Sequence, residues 1–403
     1  MTLTNRLIEL ADKSGVDWKS ARIIDPACGG GAFLAPICER VIEISKGKSG
    51  IEILNHIQTN LIGWEIDPFA GWLSQVFVEV VLKDILVSCE YRFKPIVSIG
   101  DSLKIGKNVE SSFDLVIGNP PYGKVKSTDD IRSQFRESLF GHPNYYGIFK
   151  HLALQLCSDS GIVAFLTPTS FLSGEYFKKL RSFIKKSAAV LEIDFVSSRK
   201  NVFEDVLQET LLVTYKKKAA ERRVKVNEIV TGKDLGVLIH RIGQFSLPKN
   251  GTAPWILPRS KGEGDIVKTM NAHVHYIRDW GYEVKTGPLV WNRHKMQLTF
   301  KEEDNTYPIV WAEAISSDGR FSIKSEKANH KPYFRFENGD EWLVNTKPCI
   351  LLQRTTAKEQ DKRLIAALLP EKLRKKGVVV ENHLNMIIPF NKNVIVCHSI
   401  HLN

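Results

Sequence analysis

A chain of 403 residues with 43% hydrophobic and 25% charged side chains can bury one large core or two ordinary ones and is too apolar for a disordered segment. No apolar run reaches membrane-spanning length, no basic-then-apolar leader opens the chain, and six cysteines (28, 38, 89, 157, 349, 397) stand without CxxC pairs, so a soluble, cytoplasmic protein with reduced thiols and no structural zinc is expected. The net charge of +11 is uneven: residues 1–220 hold 27 Lys and Arg against 25 Asp and Glu, residues 221–403 hold 29 against 20, so a polyanion is expected on the C-terminal half, nucleic acid before an anionic membrane.

In chain order, residues 3–11 have helical periodicity with Thr4 or Asn5 as the cap. Arg22 to Asp25 reads as a short strand that runs into Pro26-Ala27-Cys28-Gly29-Gly30-Gly31-Ala32-Phe33, followed by a helix from Leu34 to Ile44. Strand, glycine-rich turn and helix let a backbone approach a cofactor closely, because glycine adopts unusual φ and puts no side chain in the way. Gly47-Lys48-Ser49 is not a phosphate loop, since position 42 is Ile where that motif needs Gly; Lys48 reads as solvated surface. A second strand, Leu61 to Glu65, ends in an acid placed where a ribose diol is gripped in dinucleotide-type folds, and Ile66-Asp67-Pro68 leads into a helix from Phe69 to Lys83. A plain helix-start charge is the alternative for Glu65. Ile96 to Ile99 is a third strand, with Gly100-Asp101-Ser102 at its end.

The most informative stretch comes next. Phe113 to Gly118 is an apolar run that delivers Asn119-Pro120-Pro121-Tyr122 to the carboxyl end of a buried strand. The two prolines have fixed φ and no amide hydrogen, so the segment offers carbonyl acceptors without donors; Asn119 adds a side-chain carbonyl, and Tyr122 a flat face. Such a corner suits an exocyclic amine on an aromatic ring, and a strand-to-loop turn with a surface Tyr is the bland alternative. Residues 123–143 are polar and basic and read as a mobile loop. Tyr146 to Cys157 then reads as a helix, Gly161 to Leu166 as a strand, Tyr176 to Lys186 as a helix, and Val190 to Phe195 and Thr210 to Tyr215 as strands joined by a loop that holds Val202 and Phe203.

This alternation implies an α/β, mostly parallel, doubly wound sheet, and the basic run from Lys216 to Arg223 marks a boundary between domains 1–218 and 219–403. The second domain reads as α+β with one clear helix, Lys358 to Leu369. Its most pointed stretch, Trp291-Asn292-Arg293-His294-Lys295, packs hydrogen-bond donors beside an aromatic ring, suited to base edges and phosphates, or to a basic surface turn over a buried Trp. Arg354 and Lys358 read as phosphate contacts or solvated faces. His273 with His275, and Cys397 and His398 with His401, are too sparse for a metal, so no metal site is expected.

Taken together and in order, Asp25 to Phe33, Glu65 to Pro68, Gly100 to Ser102, Asn119 to Tyr122, Asn144-Tyr-Tyr-Gly-Ile-Phe149, Gly161 to Pro168, Phe171-Leu172 and Val202-Phe203 resemble the gamma-class N6-adenine DNA methyltransferases of restriction-modification systems. Val290 to Lys295, Gln353-Arg354-Thr355 with Lys358, and Val380 to Asn385 look like the target recognition part of that family. The resemblance implies a class I S-adenosylmethionine-dependent methyltransferase (Rossmann-like) with a C-terminal target recognition domain. Asp25, Ala27, Cys28, Gly29, Gly31 and Phe33 would contact the methionine portion of the cofactor, Glu65 the ribose, Ile66 the adenine face and Asp101 the adenine amino group; Pro121 would close the pocket near the sulfonium, and Ser102 and Asn119 would also belong to the cofactor site.

It also implies that Asn119, Pro120, Pro121, Tyr122 and Phe203 receive an adenine flipped out of double-stranded DNA. Trp291 to Lys295, Arg354 and Lys358 would bind that DNA, and a cognate restriction endonuclease would act in the same system. The Thr-Pro element of the family, which helps hold the cofactor carboxylate, has no counterpart here, so Thr2 or Thr4 is expected to substitute, and the recognition part is expected to stop short at Asn403. The competing expectations are a methyltransferase acting on RNA or a protein glutamine, and a DNA-binding modification protein without activity.

Overall fold

A computed structural model describes residues 2–126, 128–197, 209–231, 237–273, 275–323, 330–355, 362 and 364–390. They fall into two compact units, Met1–Ala272 and His273–Asn403.

The first unit is organised by a nine-stranded sheet: β1 (Ile23–Asp25), β2 (Leu61–Glu65), β3 (Val97–Ile99), β4 (Phe113–Gly118), β5 (Cys157–Pro168), β6 (Ala188–Val196), β7 (Thr210–Lys217), β8 (Val224–Thr231) and β9 (Val237–Phe245). The spatial order is β3-β2-β1-β4-β5-β7-β6-β8-β9. Strands β1 to β5 pair parallel, whereas β7 lies antiparallel between β5 and β6. The order runs outward in both directions from β1 and β4, so their carboxyl ends flank the switch point at which open α/β sheets bind ligands. The helices are α1 (Leu3–Lys13), α2 (Leu34–Ile44), α3 (Gly50–Asn60), α4 (Pro68–Ser88), α5 (Ser102–Ile105), α6 (Asp129–Gln134), α7 (Tyr145–Leu156) and α8 (Lys178–Ser187). Alternation along β4 shows how they cover the sheet: Leu115 and Ile117 join the core under α1 to α4, and Val116 joins the core under α7 and α8.

Several expectations change here. Thr2, not Thr4 or Asn5, caps α1, its hydroxyl accepting from the Asn5 amide at 3.1 Å, because the helix already begins at Leu3 and takes both of those residues into its first turn. Helix α3 was not foreseen; Ser49 and Glu52 form a reciprocal capping box at its start, worth roughly 1 kcal/mol. Part of the expected mobile loop is α6, capped by Thr128 and followed by fully buried Phe135.

The sheet also runs through the expected boundary at 218. The basic run ends β7 and turns into β8, with Lys217 Nζ donating to the Cys157 carbonyl and Lys218 paired with Asp159 at 2.7 Å, and β8 and β9 continue the same sheet beyond it.

The second unit holds a four-stranded antiparallel sheet and a five-stranded mixed sheet. The expected helix over 358–369 is not what residues 366–368 form: Ala366–Leu368 pairs antiparallel with Ile350–Gln353, and the helix comes later, at Glu371–Lys376. Cross-strand pairing of an apolar segment outweighed the helix propensity of its alanines. Among the described residues no helix is long and apolar enough to cross a membrane.

Candidate active site

The carboxyl ends of β1, β2, β3 and β4 open on one cleft of about 530 Å³. Ala27 and Gly29 from the loop after β1, Glu65 and Ile66 from β2, Asp101 and Ser102 from the loop after β3, and Asn119 and Pro121 after β4 line it together. Residues separated by almost a hundred positions thus share one wall, as the strand-end reading expects.

Glu65 is the hub. Its Oε2 accepts from the Gly29 amide at 2.8 Å, and its Oε1 from the amides of Ile66 and Asp67, both at 2.9 Å. The carboxylate therefore fixes the glycine-rich turn to the end of β2 and retains lone pairs for a diol. Gly31 within that turn has φ of +86°, and a Cβ there would lie 2.9 Å from Ser74 Oγ and 3.0 Å from its Cα, so only glycine lets α4 approach so closely. Ser102 Oγ donates to the Pro26 carbonyl at 2.5 Å, and Asp101 caps α5 by accepting from the Leu103 amide at 3.0 Å.

Asp25 lies just beneath the cleft, 1% exposed. One oxygen accepts from the Ala27 amide at 3.0 Å, and Oδ2 has no hydrogen-bond partner among the described residues. Burial, against the Ala27 hydrogen bond and with the nearby Glu65 charge, pushes its carboxyl up to about 7. Gly118 makes room for it, since a Cβ at that position would sit 2.4 Å from Asp25 Oδ1.

At the other end, Pro120 is buried and Asn119 half-buried. The Tyr122 hydroxyl donates to Asn119 Oδ1 at 2.9 Å. The Tyr122 ring stands edge-on to Tyr146, with centroids 6.3 Å apart, and the Tyr146 hydroxyl meets Ser170 Oγ at 2.6 Å.

A family model, two sequence relatives and two solved structures are similar to this chain. Residues 43–203 match the model described as Eco57I restriction-modification methylase. The type II methyltransferase M.BsuBI of Bacillus subtilis is 25% identical over 390 residues, 93% of this chain and 74% of its own. The chain is similar to the methyltransferases of restriction-modification systems. M.PstI of Providencia stuartii is 24% identical over 290 residues, 69% of this chain and 56% of the relative. In fold, the chain is similar to the type ISP restriction-modification enzyme LlaGI in complex with a DNA substrate mimic (TM-score 0.57, 11% identity, 96% of this chain, 47% of that one) and to the type IIL enzyme MmeI in complex with DNA (TM-score 0.53, 14% identity, 96% and 59%). The sheet has the class I methyltransferase arrangement.

The residues present fit S-adenosylmethionine. The unpartnered oxygen of Asp25 suits an ammonium, the Glu65 carboxylate a ribose diol, and Ile66, 68% exposed at the cleft, an adenine face. Cys28, Gly31 and Phe33 stand apart from the cleft wall: Cys28 and Phe33 pack in the core beneath α2, because the turn bends inward toward β2 and α4. Thr2 is already engaged as the α1 cap.

The reading missed the apolar side of the cleft, made by Trp64, Leu103, Val125, Ile131, Tyr145 and Phe149. Tyr145 and Phe149 lie four apart on α7, a helical spacing that could have signalled a shared face. Phe203 lies outside the described residues, as does Lys358.

In the second unit, Trp291–Arg293 forms a tight turn that leaves Asn292, Arg293 and Lys295 exposed. Trp291 is half-buried against that unit's core, with Lys295 Nζ 5.7 Å from its ring centre. His294 is engaged inward, bonded to Gln297 at 2.8 Å and edge-on to Phe334. Arg354 is exposed, with Nη1 donating to the Asn382 carbonyl at 3.3 Å. Among the described residues no cluster of His, Cys, Asp and Glu could hold a metal ion.

Proposed function

We propose that the chain is an adenine-specific DNA methyltransferase, the modification part of a restriction-modification system, which methylates the N6 amino group of an adenine flipped out of double-stranded DNA. The observation that carries this reading is the position of Asn119: a side-chain acceptor followed by two prolines, at the mouth of the cleft that Ala27, Glu65 and Asp101 also line. Bound there, S-adenosylmethionine supplies an electrophilic methyl group. The chain's residues supply the rest.

The amino nitrogen of adenine is a poor nucleophile because its lone pair is delocalised into the ring. Asn119 Oδ1 and the Pro120 carbonyl accept its two hydrogens, which localises the lone pair and stabilises the positive charge that grows on nitrogen during in-line transfer. The donor-free backbone of Pro120 and Pro121 keeps competing amides away. Tyr122 contributes a ring beside the base, and Phe203 is assigned to the same pocket by resemblance. Exposed Asn292, Arg293, Lys295 and Arg354 of the second unit contact DNA.

The test is expression in cells free of adenine methylation, with modified positions read across the genome. One modified sequence motif on adenine supports the proposal; methylation confined to RNA or to a protein glutamine, or none, overturns it. In the purified protein, Asn119→Ala lowers kcat by at least about a hundredfold, since one preorganised partner of the reacting group is worth about 3 kcal/mol or more.

A further inference from the structure

An asparagine amide can present either oxygen or NH2 to the same space by a half-turn about its last bond, and that torsion is broad. Only one of the two orientations accepts an amine. The other sets donor against donor and leaves the adenine amino group ungripped, so an enzyme that works through Asn119 needs the choice made before the base arrives.

The contact at 2.9 Å between Tyr122 Oη and Asn119 Oδ1 makes that choice. We propose that the Tyr122 hydroxyl is a positioning group that locks the Asn119 carboxamide with its oxygen toward the target amine, a role separate from any contact of its ring with the base. This rests on the methyltransferase reading above.

Three features support it. The residues between the pair are Pro120 and Pro121, whose fixed φ holds hydroxyl and amide at a set spacing without cost at the moment of binding. The ring cannot swing freely, because Tyr146 stands against it and is itself tied to Ser170. The hydroxyl stays protonated, since burial raises its pKa, and so remains a donor throughout the working range. An amide oxygen has two lone pairs, so accepting from Tyr122 leaves one for the amine of the substrate. With the amide reversed, the hydroxyl would have to become an acceptor and its proton would lose this partner.

The experiment is Tyr122→Phe in the full chain, which keeps the ring and removes the hydroxyl. We expect kcat to fall about tenfold, with KM for DNA and the calorimetric Kd for S-adenosylmethionine unchanged. In an Asn119→Asp background both side-chain oxygens accept, no wrong orientation exists, and Tyr122→Phe is expected to cost less than twofold. Wild-type kcat in Tyr122→Phe, or an equal loss in both backgrounds, overturns the proposal.

A readout free of turnover separates this from the parent reading. With 13C-labelled asparagine, the Asn119 Cγ resonance moves upfield in Tyr122→Phe when the hydroxyl bond is lost. An unmoved resonance overturns the orienting role whether or not adenine is methylated, whereas a shift in a chain that methylates no adenine leaves the contact standing and removes the parent reading.

Discussion

A buried carboxyl group near neutrality is an uncommon thing to place at the end of a strand, and Asp25 has a reason to be there. Its Oδ2 is without a hydrogen-bond partner among the described residues, and its surroundings disfavour the charged form. A cofactor ammonium against that oxygen would reverse the balance, because an opposite charge in a dry site favours the carboxylate strongly. The sign follows. The free protein holds the Asp25 proton up to about pH 7 and must release it to pair with an ammonium, so cofactor affinity should rise as pH increases from about 6 through about 7 and level off about a unit above that. Calorimetric Kd values across that range test this, and Asp25→Asn should weaken binding and flatten the profile. A profile in the wild type that is flat, or that falls with pH, would remove Asp25 from the ammonium site.

At the level of elements, the front of the sheet was legible because each strand there ends in a residue with an evident job: Asp25, Glu65, Asp101 and Asn119 follow short apolar runs, and a switch-point crevice collects such ends. Ser49 and Glu52 carry a readable start signal for α3, but it overlaps Gly47-Lys48-Ser49, whose likeness to a phosphate loop masks it. The continuation into β8 was hidden because Lys216 to Arg223 has linker composition, while its charges are used locally against Cys157 and Asp159.

Helix α7 carried a feature that its apolar pattern did not advertise. Lys150 is buried, its Nζ without a hydrogen-bond partner among the described residues, 4.3 Å from the ring centre of Phe171 and within about 6 Å of those of Tyr146, Phe165 and Tyr215. Rings attract an ammonium only weakly compared with the cost of taking it out of water, and burial lowers the Lys150 pKa well below its ordinary value. In the folded state the amine is neutral at a pH where the unfolded chain still binds a proton. The unfolded state then binds more protons, so this group makes stability rise with pH between its depressed folded pKa and about 10.4. Lys150→Met keeps the length without the amine and should stabilise the protein by about 1–2 kcal/mol at pH 7. That advantage should shrink toward pH 10. Denaturant titrations at both pH values decide it; a substitution that destabilises equally at both would mean that the amine has a structural partner.

Over the whole molecule, the charge balance changes once the units are known. Residues 1–272 hold 36 Lys and Arg against 30 Asp and Glu, and residues 273–403 hold 20 against 15, so both units are basic and the excess is denser in the second. A polyanion therefore has cause to engage both. Long-range attraction is the part of DNA binding that salt removes, because each neutralised phosphate releases condensed counterions, with a slope in log K against log salt of about −0.9 per contact. Lys295 is exposed beside the Trp291 ring, which restrains its chain and makes it a suitable phosphate contact, whereas Asn292 is suited to a base edge. Lys295→Ala should weaken binding to cognate and non-cognate duplexes alike and reduce the magnitude of the salt slope by about one. Asn292→Ala should leave the slope in place and narrow the preference for the cognate site, where a good base contact is worth about 1–3 kcal/mol. Fluorescence anisotropy on both duplexes between about 50 and 200 mM salt separates the two roles. An unchanged slope in Lys295→Ala, together with unchanged discrimination in Asn292→Ala, would move the DNA contact off this turn and onto other basic residues of the chain.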